Sequence, residues 1–151
     1  MSAGKSYLWL RARIIQSMRD FFIRQGYLEV ETPHLIPQPI PEAHIDLIST
    51  SQGFLHPSPE VCMKRLLSTG LSRIFQICKC FRDRERGHLH LPEFTLLEWY
   101  RTEAGYMDLM ADCESLICHV AAELGFGKAI RYGEQSIDLQ TPWDRISVED
   151  A

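Results

Sequence analysis

Residues 72–101 read SRIFQICKCFRDRERGHLHLPEFTLLEWYR, two runs of β-forming residues separated by a charged stretch. Ser72–Phe81 is dense in Ile, Phe and Cys, side chains that pack well on a pleated surface, and predicts a strand. Residues 83–92 are charged, contain Gly87 and end in Pro92, as a long hairpin loop does. Glu93–Arg101 predicts the returning strand. Period two then puts Phe94, Leu96, Glu98 and Tyr100 on one face and Glu93, Thr95, Leu97, Trp99 and Arg101 on the other. The first face carries a flat aromatic, able to stack on a nucleobase. A carboxylate and a phenol stand further along it and can receive an ammonium group. Arg82 ends the outgoing strand, where a guanidinium can grip a phosphate or carboxylate bidentately. Taken singly, Glu98 reads as an edge carboxylate and Phe94 and Tyr100 as core. Arg82, Phe94, Glu98 and Tyr100 together, on adjacent strands, point to a site for a nucleotide and an amine.

The flanking sequence predicts an α/β (α+β) fold, an antiparallel sheet flanked by helices. On the N-terminal side, Ser58-Pro59-Glu60 signals a helix start, with Ser at the N-cap, Pro at the first helical position and Glu against the dipole. That helix is expected to run to about Thr69 and end at Gly70. Short strands around Asp46–Ile48 and Phe54–His56 are expected to flank a turn at Ser49–Gly53. Pro37, Pro39 and Pro41 mark an extended loop. Residues 7–25 place Leu8, Ile15, Met18 and Phe22, with Leu10, Ile14 and Phe21, at helical spacing, and Gly26 is a natural residue to end the helix. Tyr27–Glu31 then alternates as a strand and stops at Thr32-Pro33. On the C-terminal side a second amphipathic helix is expected over Tyr106–Leu124, closed by Gly125 and Gly127. Short strands follow near Ile130–Tyr132 and Ser136–Leu139. Ser147-Val148-Glu149-Asp150 reads as an N-cap with acids in a first turn, so a helix is expected to begin there and the sequence to be incomplete at its C-terminal end.

The chain has 151 residues, 45% hydrophobic and 24% charged, ordinary values that exclude a disordered or fibrous protein. No apolar run approaches the roughly 20 residues of a membrane span, and Met1–Lys5 lacks the pattern of a secretory signal. Five cysteines, an odd number, argue against a disulfide framework and for a reducing cytoplasm. The net charge of −4 argues against a polycation built for nucleic acid, although twelve of the sixteen basic residues are Arg. Arg82, Arg84 and Arg86 alternate with Asp83 and Glu85, as in a solvated loop rather than a nucleic-acid patch. Cys78-x-Cys80 and His88-x-His90 could meet across the hairpin, but the spacing is not a zinc-ribbon pattern and no metal ligand is expected. Cys62, Cys113 and Cys118 read as small core residues.

Phe81-Arg82-Asp83-Arg84-Glu85, its loop and Leu91–Tyr100 resemble motif 2 of the class II aminoacyl-tRNA synthetases, within them the lysyl group. Gly26–Pro33, behind its long helix, resembles motif 1, and Ser58-Pro59-Glu60 with Met63–Leu66 is similar to the lysine-pocket helix start. Motif 1 falls at about 10–33 and motif 2 at about 73–101. The wording of Ser58-Pro59-Glu60 and Leu97–Arg101 is most similar to the branch that attaches β-lysine to elongation factor P. The motif 1 helix begins within the first ten residues, so no anticodon-binding domain is expected.

The resemblance implies that residues 1–151 form part of a class II synthetase catalytic domain in a cytoplasmic protein. Such a domain activates lysine or β-lysine with ATP to an adenylate, then transfers it to a lysine of elongation factor P or, less expectedly, to tRNA. It also implies a homodimer through the motif 1 region. Carried over by position, Arg82 would grip the α-phosphate and the substrate carboxylate, Phe94 would stack on adenine, and Arg84 and Glu85 would contact ATP. Glu60 would bind the substrate amino group, Glu98 and Tyr100 the side-chain ammonium, and Ser58 would line the same pocket. Three departures stand out. The family's acid two residues after the motif 2 arginine is here Arg84, with Glu85 one position later. Its asparagine before Pro92 is Leu91. Motif 3, with the acids that hold the family's Mg²⁺, is not found in these residues, so the chain is expected to be incomplete before it. A non-catalytic synthetase-like binding or regulatory module is the alternative.

Overall fold

A computed structural model describes residues 3–150. In chain order the elements are α1 (Ala3–Arg24), β1 (Leu28–Glu29), β2 (Leu35–Ile36), β3 (Ser49–Thr50), β4 (Gly53–Leu55), α2 (Glu60–Leu67), β5 (Arg73–Phe81), β6 (Glu93–Arg101), α3 (Tyr106–Glu123), β7 (Ala129–Tyr132) and β8 (Gln135–Asp138). They fall into two compact units, one of the residues up to Gln25 together with Glu103 onward, the other Gly26–Thr102. Among the described residues no helix is long and apolar enough to cross a membrane.

In the first unit α1 packs on α3. Phe21 meets Phe22 edge-on and lies against the His119 ring. Ile14 and Met18 of α1 share an apolar cavity of about 180 Å³ with Leu116, Val120 and Ala121 of α3. The buried Glu114 carboxylate accepts hydrogen bonds from the Trp143 amide and the Arg145 guanidinium, which compensates its loss of water. The helical face expected over residues 7–25 holds from Ile14 onward, but Leu8 is 70% exposed, as are its neighbours Tyr7 and Trp9 to a similar degree. At the C-terminal end, residues 148–150 form a turn. The Asp150 amide donates to Ser147 Oγ at 3.2 Å, the bond an N-cap makes.

The second unit holds two sheets. One has the order β1-β5-β6, with β1 parallel and β6 antiparallel to β5; the other is antiparallel, β2-β4-β3. Central position explains the composition of β5: Ile74, Phe75 and Cys80 are fully buried, on both faces of the strand. Burying each Ile or Phe stabilises the fold by about 1.5–3 kcal/mol. The β5–β6 register pairs Arg73 with Arg101 through to Phe81 with Glu93, the hairpin expected from the sequence. Gly26, at φ 78°, follows α1 as expected. The expected strand at Tyr27–Glu31 contracts to Leu28–Glu29, with one further ladder bond from the Val30 amide to Phe75 O.

Three expectations are corrected. The strand expected at Asp46–Ile48 is irregular chain, and the pairing falls instead on Ser49–Thr50, read from sequence as turn. The extra strand Leu35–Ile36, framed by prolines, pairs with β4. Helix α2 starts one residue later than the capping pattern suggests, with Pro59 already in the αR region at the cap position. It stops at Leu67 because Ser68 and Thr69 return their hydroxyls to backbone carbonyls of the last turn.

Gly53 opens β4 at φ 144°, and a Cβ there would stand 2.4 Å from the Ile36 carbonyl oxygen of β2. Gly53→Ala is therefore expected to cost about 2–3 kcal/mol. The change is read as a lower urea midpoint at unchanged slope. An unshifted midpoint would contradict the close approach of β2 and β4.

Candidate active site

The pleat of β6 turns Leu96, Glu98 and Tyr100 to the face that also carries Cys78, Gln76 and Ile74 of β5, their partners in the register. At the end of β5 the Arg82 amide donates to Pro92 O at 2.9 Å and closes the hairpin. The Arg82 guanidinium lies 5.0 Å from the centroid of the Phe94 ring, a cation–π contact, with Glu85 Oε1 at 3.7 Å from its Nη1. Its Nε is buried and has no hydrogen-bond partner. A buried guanidinium donor without an acceptor is what an incoming anion would complete.

Glu98 is held from two sides. Ser58 Oγ donates to its Oε2 at 2.6 Å and Tyr100 Oη donates to its Oε1 at 2.5 Å. Ser58 Oγ in turn accepts the Glu60 amide at 3.1 Å, so the start of α2 and the middle of β6 are joined through one hydroxyl. Burial, and then the hydrogen bond to Glu98, hold the Tyr100 phenol far above its ordinary value, which keeps it a neutral donor at physiological pH. Each Glu98 oxygen keeps a second lone pair.

Ser58, Glu60, Arg82, Leu96 and Glu98 line one cavity of about 330 Å³, together with Glu42 and Ile45 of the preceding loop. Three carboxylates and one guanidinium therefore face the same space. Lys64 already shows what the acids attract. Its Nζ is 2.5 Å from Glu60 Oε1, and that hydrogen bond and charge, with Glu98 and Glu42 behind them, raise its ammonium above the ordinary lysine value. The pair is exposed and adds little stability; its interest is that the site gathers an ammonium group.

Of the residues singled out by sequence, the structure brings together Ser58, Glu60, Arg82, Glu85, Phe94, Glu98 and Tyr100. It does not bring in Arg84, which stands at φ 58° in the loop, 83% exposed, with its guanidinium 3.9 Å from Asp83. Two neighbours were not singled out. Glu42 comes from the proline-rich stretch, where nothing periodic marks it. Gln76 is 2% exposed, faces Glu98 across the strands, and has no partner for either side-chain amide atom. Its signal was available, as the one amide inside the buried apolar run of β5.

The family model for tRNA synthetases class II (D, K and N) matches residues 2–151. The lysine–tRNA ligase of Oceanobacillus iheyensis is 37% identical over 148 residues, covering 93% of this chain and 30% of that protein. The lysine–tRNA ligase of Bacillus subtilis is 38% identical over 148 residues, covering 93% of this chain and 29% of that protein. The elongation factor P–(R)-β-lysine ligase of Baumannia cicadellinicola is 39% identical over 141 residues, covering 82% of this chain and 43% of that protein. The chain thus spans about a third of the length of the two lysine–tRNA ligases and less than half of the third relative.

Proposed function

The chain belongs to the class II tRNA synthetases of the D, K and N group, and we propose that it serves the activation of lysine or β-lysine by ATP. In that reaction a substrate carboxylate oxygen attacks the α-phosphorus; the new O–P bond forms as the bond to pyrophosphate breaks, giving an aminoacyl-adenylate. The observation that carries this reading is Glu98, half-buried and oriented by Ser58 and Tyr100 with lone pairs left for an ammonium group. Glu60 offers a second carboxylate for the amino group nearer the reacting end. Arg82, with an unpartnered buried Nε and Phe94 beneath it, offers donors to the α-phosphate and the attacking carboxylate as charge builds between them. Phe94 is also the ring on which adenine would stack.

Mg²⁺ takes oxygen ligands in octahedral array. Among the described residues no three carboxylates bring ligand oxygens within 4.8 Å of one another; the one such grouping of ligand-type side chains is His34, His56 and Cys78.

The acceptor proposed is a lysine of elongation factor P, with tRNA second, on the wording of Ser58-Pro59-Glu60 and Leu97–Arg101; the names of the relatives print both acceptors. The exposed Tyr7, Leu8 and Trp9 near the start of α1 suit a homodimer through the motif 1 region, and sedimentation giving only monomer at micromolar concentration would contradict it. Five free thiols suit a reducing cytoplasm. The second reading, a module that binds ligand without turnover, is favoured by the solvent-facing Arg84 and by Leu91, 68% exposed, where the family carries polar ATP contacts. Exchange of labelled pyrophosphate into ATP, by the protein made from its native gene, separates the two. Lysine-dependent exchange supports activation; exchange equally fast without a lysine-like substrate would overturn it, and tight ligand binding without exchange would favour the module.

A further inference from the structure

Within the same unit as the candidate active site the chain brings together three side chains that no local spacing links. His34 precedes β2, His56 follows β4, and Cys78 lies in the middle of β5. One ligand-type atom of each lies within 4.8 Å of the others. The backbone fixes this meeting: the His56 amide donates to His34 O at 2.9 Å, and the Phe81 amide donates to His56 O at 3.0 Å. The two imidazole rings are 4.9 Å apart at 69°.

His56 and Cys78 share a hydrogen bond that a metal ion would replace. His56 Nε2 is 2.7 Å from Lys79 O, and since a carbonyl only accepts, that nitrogen carries the proton and Nδ1 keeps its lone pair. A histidine ligand oriented by a backbone carbonyl on its other nitrogen is the usual outer-shell arrangement at metal centres. His34 Nε2 is buried with no hydrogen-bond partner. The Cys80 sulfur lies 3.8 Å from that of Cys78 and can donate its S–H to a metal-bound thiolate. His56 and Cys78 are buried and His34 is half-buried.

We propose that His34, His56 and Cys78 form a site for a soft divalent cation of the zinc type, stapling the β2-β4-β3 sheet to strand β5. Two imidazoles and a thiolate, with no carboxylate, select zinc over Mg²⁺ or Ca²⁺. Bond lengths of about 2.0–2.3 Å place two imidazole nitrogens and a thiolate on a four-coordinate ion roughly 3.3–3.6 Å apart, so the three need draw in by at most about 1.5 Å. His56 lies two residues before Ser58, so the staple would also steady the turn that orients Glu98. The site differs from a pairing of Cys78 and Cys80 with His88 and His90, which stand in the exposed hairpin loop.

The test is titration of the metal-stripped protein with Co²⁺ and then Zn²⁺. One Co²⁺ per chain is expected, with the strong visible absorption of four-coordinate cobalt, a thiolate-to-cobalt charge-transfer band, and displacement by Zn²⁺. Cys78→Ser should abolish the charge-transfer band, while Cys113→Ser, in the other unit, keeps it. His34→Gln, at the half-exposed ligand, should weaken Zn²⁺ at least tenfold, on the order of or beyond an outer-shell loss, and should remove the rise in melting temperature that Zn²⁺ gives the parent protein. Absence of stoichiometric binding, or a charge-transfer band that survives in Cys78→Ser, would overturn the site and leave a hydrogen-bonded trio. Should Cys78→Ser not fold, unchanged Zn²⁺ affinity in His34→Gln would overturn it alone.

Discussion

Glu98→Gln is expected to lower kcat/KM for lysine in pyrophosphate exchange by about 10²–10³-fold, with KM for ATP little changed. An ammonium group that loses its charged, half-buried acceptor forfeits about 3–4 kcal/mol, the range seen when one partner of a hydrogen-bonded charge pair is removed. The amide also fits its own neighbours badly. Ser58 Oγ and Tyr100 Oη both donate to the carboxylate, one to each oxygen, at 2.6 and 2.5 Å. A glutamine offers a single carbonyl oxygen, so one donor must face an NH₂ group and turn away. The loss should therefore fall on the amino acid and spare the nucleotide. A variant as selective for lysine as the parent would remove Glu98 from amine recognition.

Arg82→Lys is expected to lower kcat by about 10²–10³-fold, the effect of deleting a donor aimed at developing charge. Lysine keeps the charge but not the fork, so it cannot bridge a phosphate and a carboxylate in one plane. It also gives up the guanidinium's seat over Phe94, 5.0 Å from the ring centroid, which fixes the group at the end of β5. The loss should appear mainly in kcat, since the donors act hardest on the charge that forms in the transition state. An unchanged kcat would contradict that role.

The hairpin that carries these two residues was legible because both of its signals are local. Period two fixes which side chains share a face, and a charged loop closed by Pro92 fixes where the strands separate. Arg82, Phe94, Glu98 and Tyr100 followed directly. Residues 35–55 were legible only in part. Strands of two or three residues between prolines are too short to show alternation, so Leu35–Ile36 left no mark, and the pairing of Ser49–Thr50 with Gly53–Phe54 was misplaced by about three residues. There the backbone pairing is imposed by the neighbouring strand and by a glycine at φ 144° rather than by propensity. The Ser58 cap was placed within one residue, yet its bond to Glu98, 40 residues on, could not be read from spacing. Glu42 and the His34–His56–Cys78 cluster escaped for the same reason. Each acquires its meaning only from segments that meet in the folded chain.

Ser58, Glu98 and Tyr100 are proposed to recognise an ammonium group beside an anion grip at Arg82. Calorimetric titration with two non-hydrolysable adenylate analogues tests it most directly, one bearing a lysyl group and one bearing norleucyl, which lacks the terminal amine. The lysyl analogue is expected to bind at least about 10²-fold more tightly, because a site built to hydrogen-bond a polar group rejects the isostere without it. Equal affinity for the two, or no binding of the lysyl analogue, would contradict it.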